Sequence, residues 1–213
     1  MFVVIPYQVD PETNSDELVY ALRAAVKYMP PFELAIVGDR PPGLKSYKYV
    51  EVPPQYNTLY KEYNIFQKLC SSPYENFTAL YDDEILLAPY DPKPVTIPWL
   101  GHGAYAKTEH NTRNALGPRT LHYDRHYPFQ FKRSWLRELD VYHWAGQYGL
   151  CVKSMYGNHY YIDHTPGVDC KLRRVPVVEE WEKWAAVSTN PSTWPLVKPA
   201  IEKLFPKKSK FEQ

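Results

Sequence analysis

Residues 77–87 read Phe-Thr-Ala-Leu-Tyr-Asp-Asp-Glu-Ile-Leu-Leu, and this stretch decides how the chain is read. Three acids in a row, Asp82, Asp83 and Glu84, stand between two apolar, strand-forming runs. Isolated carboxylates avoid apolar interiors because desolvating a charge is costly. A local rule broken in this way points to a functional site. The first run is therefore expected to be a core strand that ends at Leu80. It delivers the acids at its carboxyl end, where open α/β sheets bind ligands. Clustered carboxylate oxygens there suit a hard divalent cation, above all one already carrying phosphate. The competing reading is an acidic β-turn between two hairpin strands, because turns favour Asp and Asn.

The flanking sequence favours the first reading. Phe2 to Ile5 is a short continuous apolar run stopped by Pro6, the pattern of a buried strand. Asn14 and Glu17 form a capping-box spacing, and Leu18, Leu22, Ala25, Val26 and Met29 follow at helical intervals until Pro30-Pro31. Phe32 to Val37 is a second buried strand, closed by the turn Gly38 to Gly43, and Tyr47 to Val52 is a third. Thr58 to Cys70 places Leu59, Tyr63, Phe66 and Cys70 on one helical face and leads into the strand at Phe77. This β-α-β-β-α-β order predicts an α/β sheet whose first crossover is right-handed.

After Pro89 the composition shifts to Pro, Gly, His, Asn, Arg and Tyr. Residues 89–132 read as long loops with short strands. Ser134 to Trp144 reads as a helix, Cys151 to Met155 as a strand, and Gly157 to Gly167 as a loop rich in His and Tyr. Glu179 to Val187 and Pro195 to Phe205 read as terminal helices. The expectation is one domain over 1–206, with an α/β first half (1–88), a loop-rich second half (89–206) and a flexible tail (207–213).

A chain of 213 residues fits one large domain, and 44% apolar content supplies its core. A net charge of +1 gives no global attraction to nucleic acid or anionic membrane. The three cysteines are odd in number and lack CxxC spacing, which argues against a disulfide framework or a zinc site and for buried free thiols in a reducing compartment. No run approaches the roughly 20 apolar residues of a membrane span, and the amino terminus lacks the basic region of a signal peptide. A soluble, cytoplasmic protein is expected. The 21 prolines and 19 tyrosines imply many fixed loops and aromatic surfaces.

Loops at the carboxyl ends of such a sheet share one crevice. That brings together Pro6, Tyr7 and Gln8, then Asp39 and Arg40, then Asn64 and Lys68 on one helical face, and the acidic triplet. Tyr7 could flank a base, Asp39 or Arg40 could hydrogen-bond it, and Asn64 and Lys68 could reach ribose or phosphate. A cation at the triplet would neutralise a departing diphosphate.

The acidic triplet after an apolar strand resembles the DxD motif of GT-A-type nucleotide-sugar glycosyltransferases. The wider pattern resembles Stealth-type and related capsule or lipopolysaccharide sugar-transferase proteins over residues 1–140. The matching segments begin with Phe2-Val-Val-Ile-Pro-Tyr-Gln-Val-Asp10 and Glu17-Leu-Val-Tyr-Ala-Leu-Arg-Ala-Ala-Val-Lys-Tyr-Met-Pro30. They continue with Leu34-Ala-Ile-Val-Gly-Asp-Arg-Pro41, Asn64-Ile-Phe-Gln-Lys-Leu69, Tyr81-Asp-Asp-Glu-Ile-Leu-Leu87 and a His-x-Pro block starting at His126. The resemblance implies a GT-A-like (Rossmann-like) mixed sheet flanked by helices, a nucleotide-sugar donor, and Mn²⁺ or Mg²⁺ at the acids. Asp82 would face ribose and metal, Glu84 would ligate the metal directly with Asp83 between them, and His159 or His164 would complete the shell.

The second half must then supply the acceptor site. His102, His122, Asp124 and His126 are candidates, with Asp124 or His126 as general base if the enzyme inverts. Arg113, Arg119, Arg125, Lys132 and Arg133 alternate with Tyr123, His126, Tyr127 and Phe129, a mixture that can hold phosphates and stack on bases or sugars. The acceptor is thus expected to be a saccharide or small hydroxyl compound, or a hydroxymethylated base in DNA, which must be extruded or modified before pairing. Two other classes compete. One is a non-catalytic nucleotide- or nucleic-acid-binding module. The other is a metal hydrolase, which would need further ligands near the first strand, where only Asp10 stands.

Overall fold

A computed structural model describes residues 1–9, 16–53, 61–99, 101, 106–139, 149–172 and 184–213. Strand β1 (Phe2–Tyr7) is followed by helix α1 (Asp16–Tyr28), β2 (Glu33–Gly38) and β3 (Lys48–Glu51). Helix α2 (Lys61–Cys70) then leads into β4 (Asn76–Ala79) and β5 (Glu84–Leu86). The expected cap Asn14 and the residues Asp10, Thr58 and Leu59 lie outside the described residues. Within α1, Asp16 and Glu17 occupy the first turn and Lys27 the last, complementing the helix dipole.

Further along come β6 (Val95–Ile97), α3 (Ala106–Leu116), β7 (His122–Tyr123), β8 (Phe129–Lys132), α4 (Arg133–Leu139) and α5 (Val152–His159). The chain closes with β9 (Thr165–Pro166), β10 (Ala186–Ser188) and α6 (Trp194–Leu204). The central sheet has the order β3-β2-β1-β4-β8. Its first four strands are parallel and β8 runs antiparallel to β4. β5 pairs antiparallel with β10, and β6 lies between β7 and β9 in a third sheet.

The sheet divides the core. Val3, Ile5, Leu34 and Ile36 face α1 and α6, where Leu18, Leu22, Trp194 and Ile201 are buried. Val4, Ala35, Val37 and Ala79 face the other way, toward Phe66, Leu136, Val152 and Met155. Strands covered on both faces read as unbroken apolar runs, which is why β1 and β2 were legible.

Several expectations are corrected. Cys151 to Met155, read as a strand, opens α5. Val152, Met155 and Tyr156 share one helical face, and a five-residue apolar run carries too little periodicity to separate the two states. Helix α3 stands within a segment read as loop and short strands. Ala186 and Val187, read as the end of a helix, belong to β10, while residues 179–183 lie outside the described residues. The tail, expected to be flexible, is docked. Phe211 is buried, Lys45 donates its backbone N–H to the Phe211 carbonyl, and Glu212 takes a bidentate contact from Arg23. Cys70, Cys151 and Cys170 are buried and form no disulfide among the described residues. Among the described residues no helix is long and apolar enough to cross a membrane.

Candidate active site

β1 has β2 and β3 on one side and β4 on the other, so the order of connection reverses between β1 and β4. Ligands of open α/β sheets bind at the carboxyl ends flanking such a reversal. There the Tyr7 carbonyl accepts from Lys68 Nζ at 2.8 Å and from the Asp39 amide at 3.1 Å. Gly38 makes this approach possible. Its φ is +122°, and a Cβ at that position would lie 2.1 Å from the Tyr7 carbonyl oxygen and 2.8 Å from Lys68 Cε.

Some expected base contacts change character here. Pro6 and the Tyr7 ring are buried in the core, so β1 does not offer Tyr7 as a stacking surface. Gln8 and Arg40 are exposed, with the Arg40 guanidinium 4.8 Å above the Tyr49 ring. Asp39 is half-buried and accepts the Val9 N–H at 2.9 Å. Asn64 is half-buried on the same face of α2 as Lys68. Burial pulls the Lys68 ammonium below its usual range, opposed by Asp39 and then Asp82.

The acidic triplet follows β4 and is turned inward. Glu84 is fully buried. Its Oε1 accepts from Lys153 Nζ at 2.9 Å and its Oε2 from the Tyr81 N–H at 2.9 Å. Lys153 Nζ also donates to the carbonyls of Arg125 at 2.8 Å and Tyr127 at 2.6 Å. Asp83 Oδ2 accepts from Lys171 Nζ at 2.8 Å and Ser188 Oγ at 2.8 Å. Lys171 further donates to Ser188 Oγ and to the Thr189 carbonyl. Asp82 forms no ion pair among the described residues. Burial, then the neighbouring Asp83 charge, raises its carboxyl to about 7. Burial alone would raise Asp83 too, but Lys171, His126 and Lys61 outweigh it and hold it below its usual value.

A metal ligated by Asp82 and Glu84 does not fit this arrangement. Both Glu84 oxygens accept hydrogen bonds, one of them from the Lys153 ammonium, which already neutralises the carboxylate. The two histidines expected to complete the shell are engaged elsewhere. His164 Nδ1 is 2.9 Å from Thr96 Oγ1 of β6, and His159 is exposed at the end of α5 with its ring edge-on to Tyr160.

A second cluster borders the acids. His126 Nδ1 lies 3.1 Å from Asp169 Oδ1 and 3.3 Å from Asp124 Oδ1, and Asp124 Oδ1 also accepts the His126 N–H at 2.9 Å. Ligand atoms of these three residues lie within 4.8 Å of one another, a group that could hold a metal ion. With Nδ1 donating to the carboxylates, Nε2 is the ring nitrogen without a partner among the described residues. Burial lowers the His126 pKa, but the hydrogen bonds to Asp124 and Asp169 outweigh it, so the net shift is upward. Lys171 joins the clusters: its Nζ holds Asp83, and its backbone N–H donates to Asp169 Oδ1 at 3.0 Å.

Two solved structures align with the chain along nearly its whole length. An active-site mutant of LgtC matches at a TM-score of 0.51 and 8% identity, covering 99% of this chain and 98% of that one. The inositol-1-phosphate CTP transferase from T. maritima matches at a TM-score of 0.48 and 10% identity, covering 95% and 96%. The fold is GT-A-like, a mixed sheet flanked by helices. No family model matches the chain, and no curated protein matches it.

Within this GT-A-like fold the remaining expected residues are dispersed. His122 is buried and stacked on Trp99 at 4.4 Å, and burial lowers its pKa. His102 lies outside the described residues. Arg125 is buried between Glu62 and Glu109, and Arg133 bonds the Ser72 carbonyl and Glu75. Arg113 lies over Trp99 and Lys132 over Trp135, while Arg119 is exposed. A cavity of about 490 Å³ lined by Met1, Phe2, Phe77, Phe131 and Trp135 opens at the amino-terminal ends of β1 and β4. It is at the wrong end of the strands for the crevice.

Sequence reasoning missed Lys153, Asp169 and Lys171. One signal was present for Lys153. A lysine inside the apolar run Cys151-Val-Lys-Ser-Met155 breaks the same rule as the acids, and each violation is the other's partner.

Proposed function

We propose that this protein is a glycosyltransferase using a nucleotide-sugar donor. The donor's nucleotide would occupy the crevice between β1 and β4, with Asp39, Gln8 and Arg40 around the base and Asp82 on the ribose hydroxyls. His126 would act as general base on the acceptor. The observation that carries this reading is the chain of contacts Asp83–Lys171–Asp169–His126, which sets a histidine whose Nε2 has no partner among the described residues beside the acidic turn of a GT-A-like sheet.

In the proposed step the acceptor oxygen bonds to the anomeric carbon as its proton passes to His126 Nε2. The bond from that carbon to the diphosphate breaks, and its electron pair leaves with the nucleoside diphosphate. Such a displacement inverts configuration. Asp124 and Asp169 hold the ring and stabilise the imidazolium that forms. No metal ion enters this step: His126, Asp124 and Asp169 serve in it as base and carboxylate partners rather than as ion ligands.

The acceptor class favoured is a saccharide or small hydroxyl compound. Hydroxymethylated DNA is disfavoured because Arg125 and Arg133, two of the cations expected to hold phosphates, are committed to internal partners. A thermal-shift screen of nucleotide sugars tests the reading, since a ligand bound only by the native state raises Tm. One or more donors should stabilise the protein and be slowly hydrolysed. A protein that binds nucleotides but turns over no donor with any hydroxyl compound is instead the non-catalytic binding module.

A further inference from the structure

Resting on the reading above, we propose that this protein binds its donor without a divalent metal at Asp82, Asp83 and Glu84, the diphosphate being held by the α2 face that carries Lys61, Asn64 and Lys68. These residues recur at i, i+3 and i+7, so they share one side of the helix. That side borders the crevice, because Lys68 Nζ reaches the Tyr7 carbonyl at the end of β1 and packs against Gly38 at the end of β2.

Two observations remove the usual need for a cation at the acids. First, Glu84 and Asp83 already have one: Lys153 and Lys171 respectively. An ammonium has three N–H groups. Lys153 uses all three on Glu84 and two carbonyls, and Lys171 uses all three on Asp83, Ser188 and Thr189. A metal would have to evict two saturated, largely buried ammonium groups. Second, Lys68 is only 4% exposed, yet its ammonium has one hydrogen-bond partner among the described residues. A buried ammonium with open donors is an anion site, and a phosphate oxygen would relieve its desolvation. Lys61 is exposed at the first turn of the helix, and its charge acts on Asp82, Asp83 and Lys68.

The experiment is calorimetric titration with UDP, GDP, ADP and CDP, in excess EDTA and again in excess Mn²⁺. At least one diphosphate should bind in EDTA, with Mn²⁺ leaving its affinity unchanged. In EDTA, Lys68→Met and Lys61→Met should each weaken that binding about tenfold or more, the scale of a charge-assisted contact. Lys61→Met keeps the test valid should Lys68→Met misfold. The inference is overturned if binding appears only with Mn²⁺, or if Lys61→Met binds as tightly as the parent in EDTA. A metal-dependent result would leave the glycosyltransferase reading standing. Binding of no diphosphate under either condition would overturn both.

Discussion

Lys153 and Glu84 meet 2.9 Å apart in the interior, 69 residues distant in the chain, with side chains 1% and 0% exposed. A buried pair of this kind is weak evidence for net stability, but removing one member leaves an uncompensated charge. Burial, opposed by Lys153, raises the Glu84 pKa even with the pair intact. Lys153→Met should therefore cost about 3–5 kcal/mol in urea denaturation. Lys153→Met combined with Glu84→Leu should be more stable than Lys153→Met alone. It should not reach the parent, because the carbonyls of Arg125 and Tyr127 would still lack their donor. Simple additivity of the two changes would refute the coupling.

Gly38→Ala should destabilise the fold by about 1–3 kcal/mol, the scale of a strained backbone conformation, and weaken nucleotide binding. Both follow from the positive φ and from the contact a methyl would make with the Tyr7 carbonyl and Lys68. A variant with unaltered Tm and nucleotide affinity would show that the ends of β1 and β2 need not approach so closely.

The pH–rate profile should report His126. A base must be neutral, and Asp124 and Asp169 raise its pKa above the ordinary value of about 6.5. Transfer should therefore increase with pH through an apparent pKa above that value. Asp169→Asn should move this limb toward lower pH. His126→Ala should lower kcat by about 10²–10⁴ and leave nucleotide affinity unchanged. If His126→Ala retains full kcat, another group is the base.

The docked carboxyl terminus should loosen in acid. Burial pushes the Glu212 carboxyl up, but hydrogen bonds from Arg23 and the Ser209 amide outweigh it and hold its folded pKa below the usual value. Its stabilisation is thus present above the ordinary glutamate pKa and is lost as pH falls through the folded one. Hydrogen-exchange protection over residues 205–213, corrected for the intrinsic rate, should fall below about pH 4. Glu212→Gln should flatten that dependence and cost about 2 kcal/mol at neutral pH.

The first half of the fold was legible because its strands are long enough to show a pattern. Phe2 to Ile5, Phe32 to Val37 and Phe77 to Leu80 are apolar runs punctuated by Pro, Gly and Asp, and parallel strands covered on both faces read that way. In the second half β7 and β9 have two residues each and show no period at all. The site divides similarly. Asp82 and His126 were identifiable by residue type and neighbours. The pairing of Asp83 with Lys171, 88 residues away, has no local signature, because it arises only when β5 and β10 align. Without it the triplet reads as three open ligands, when two of the three are committed.

Lys153 and Lys171 both lie beyond residue 88, while the carboxylates they neutralise lie before it. A fragment ending at Leu87 or Ala88 would expose Glu84 and Asp83 to the choice between ionising without a counter-ion and taking up protons. This first half, residues 1–88, is therefore not a portable module. It should melt in a single cooperative transition with the remainder, and a graft of residues 1–88 onto another protein should fail to fold.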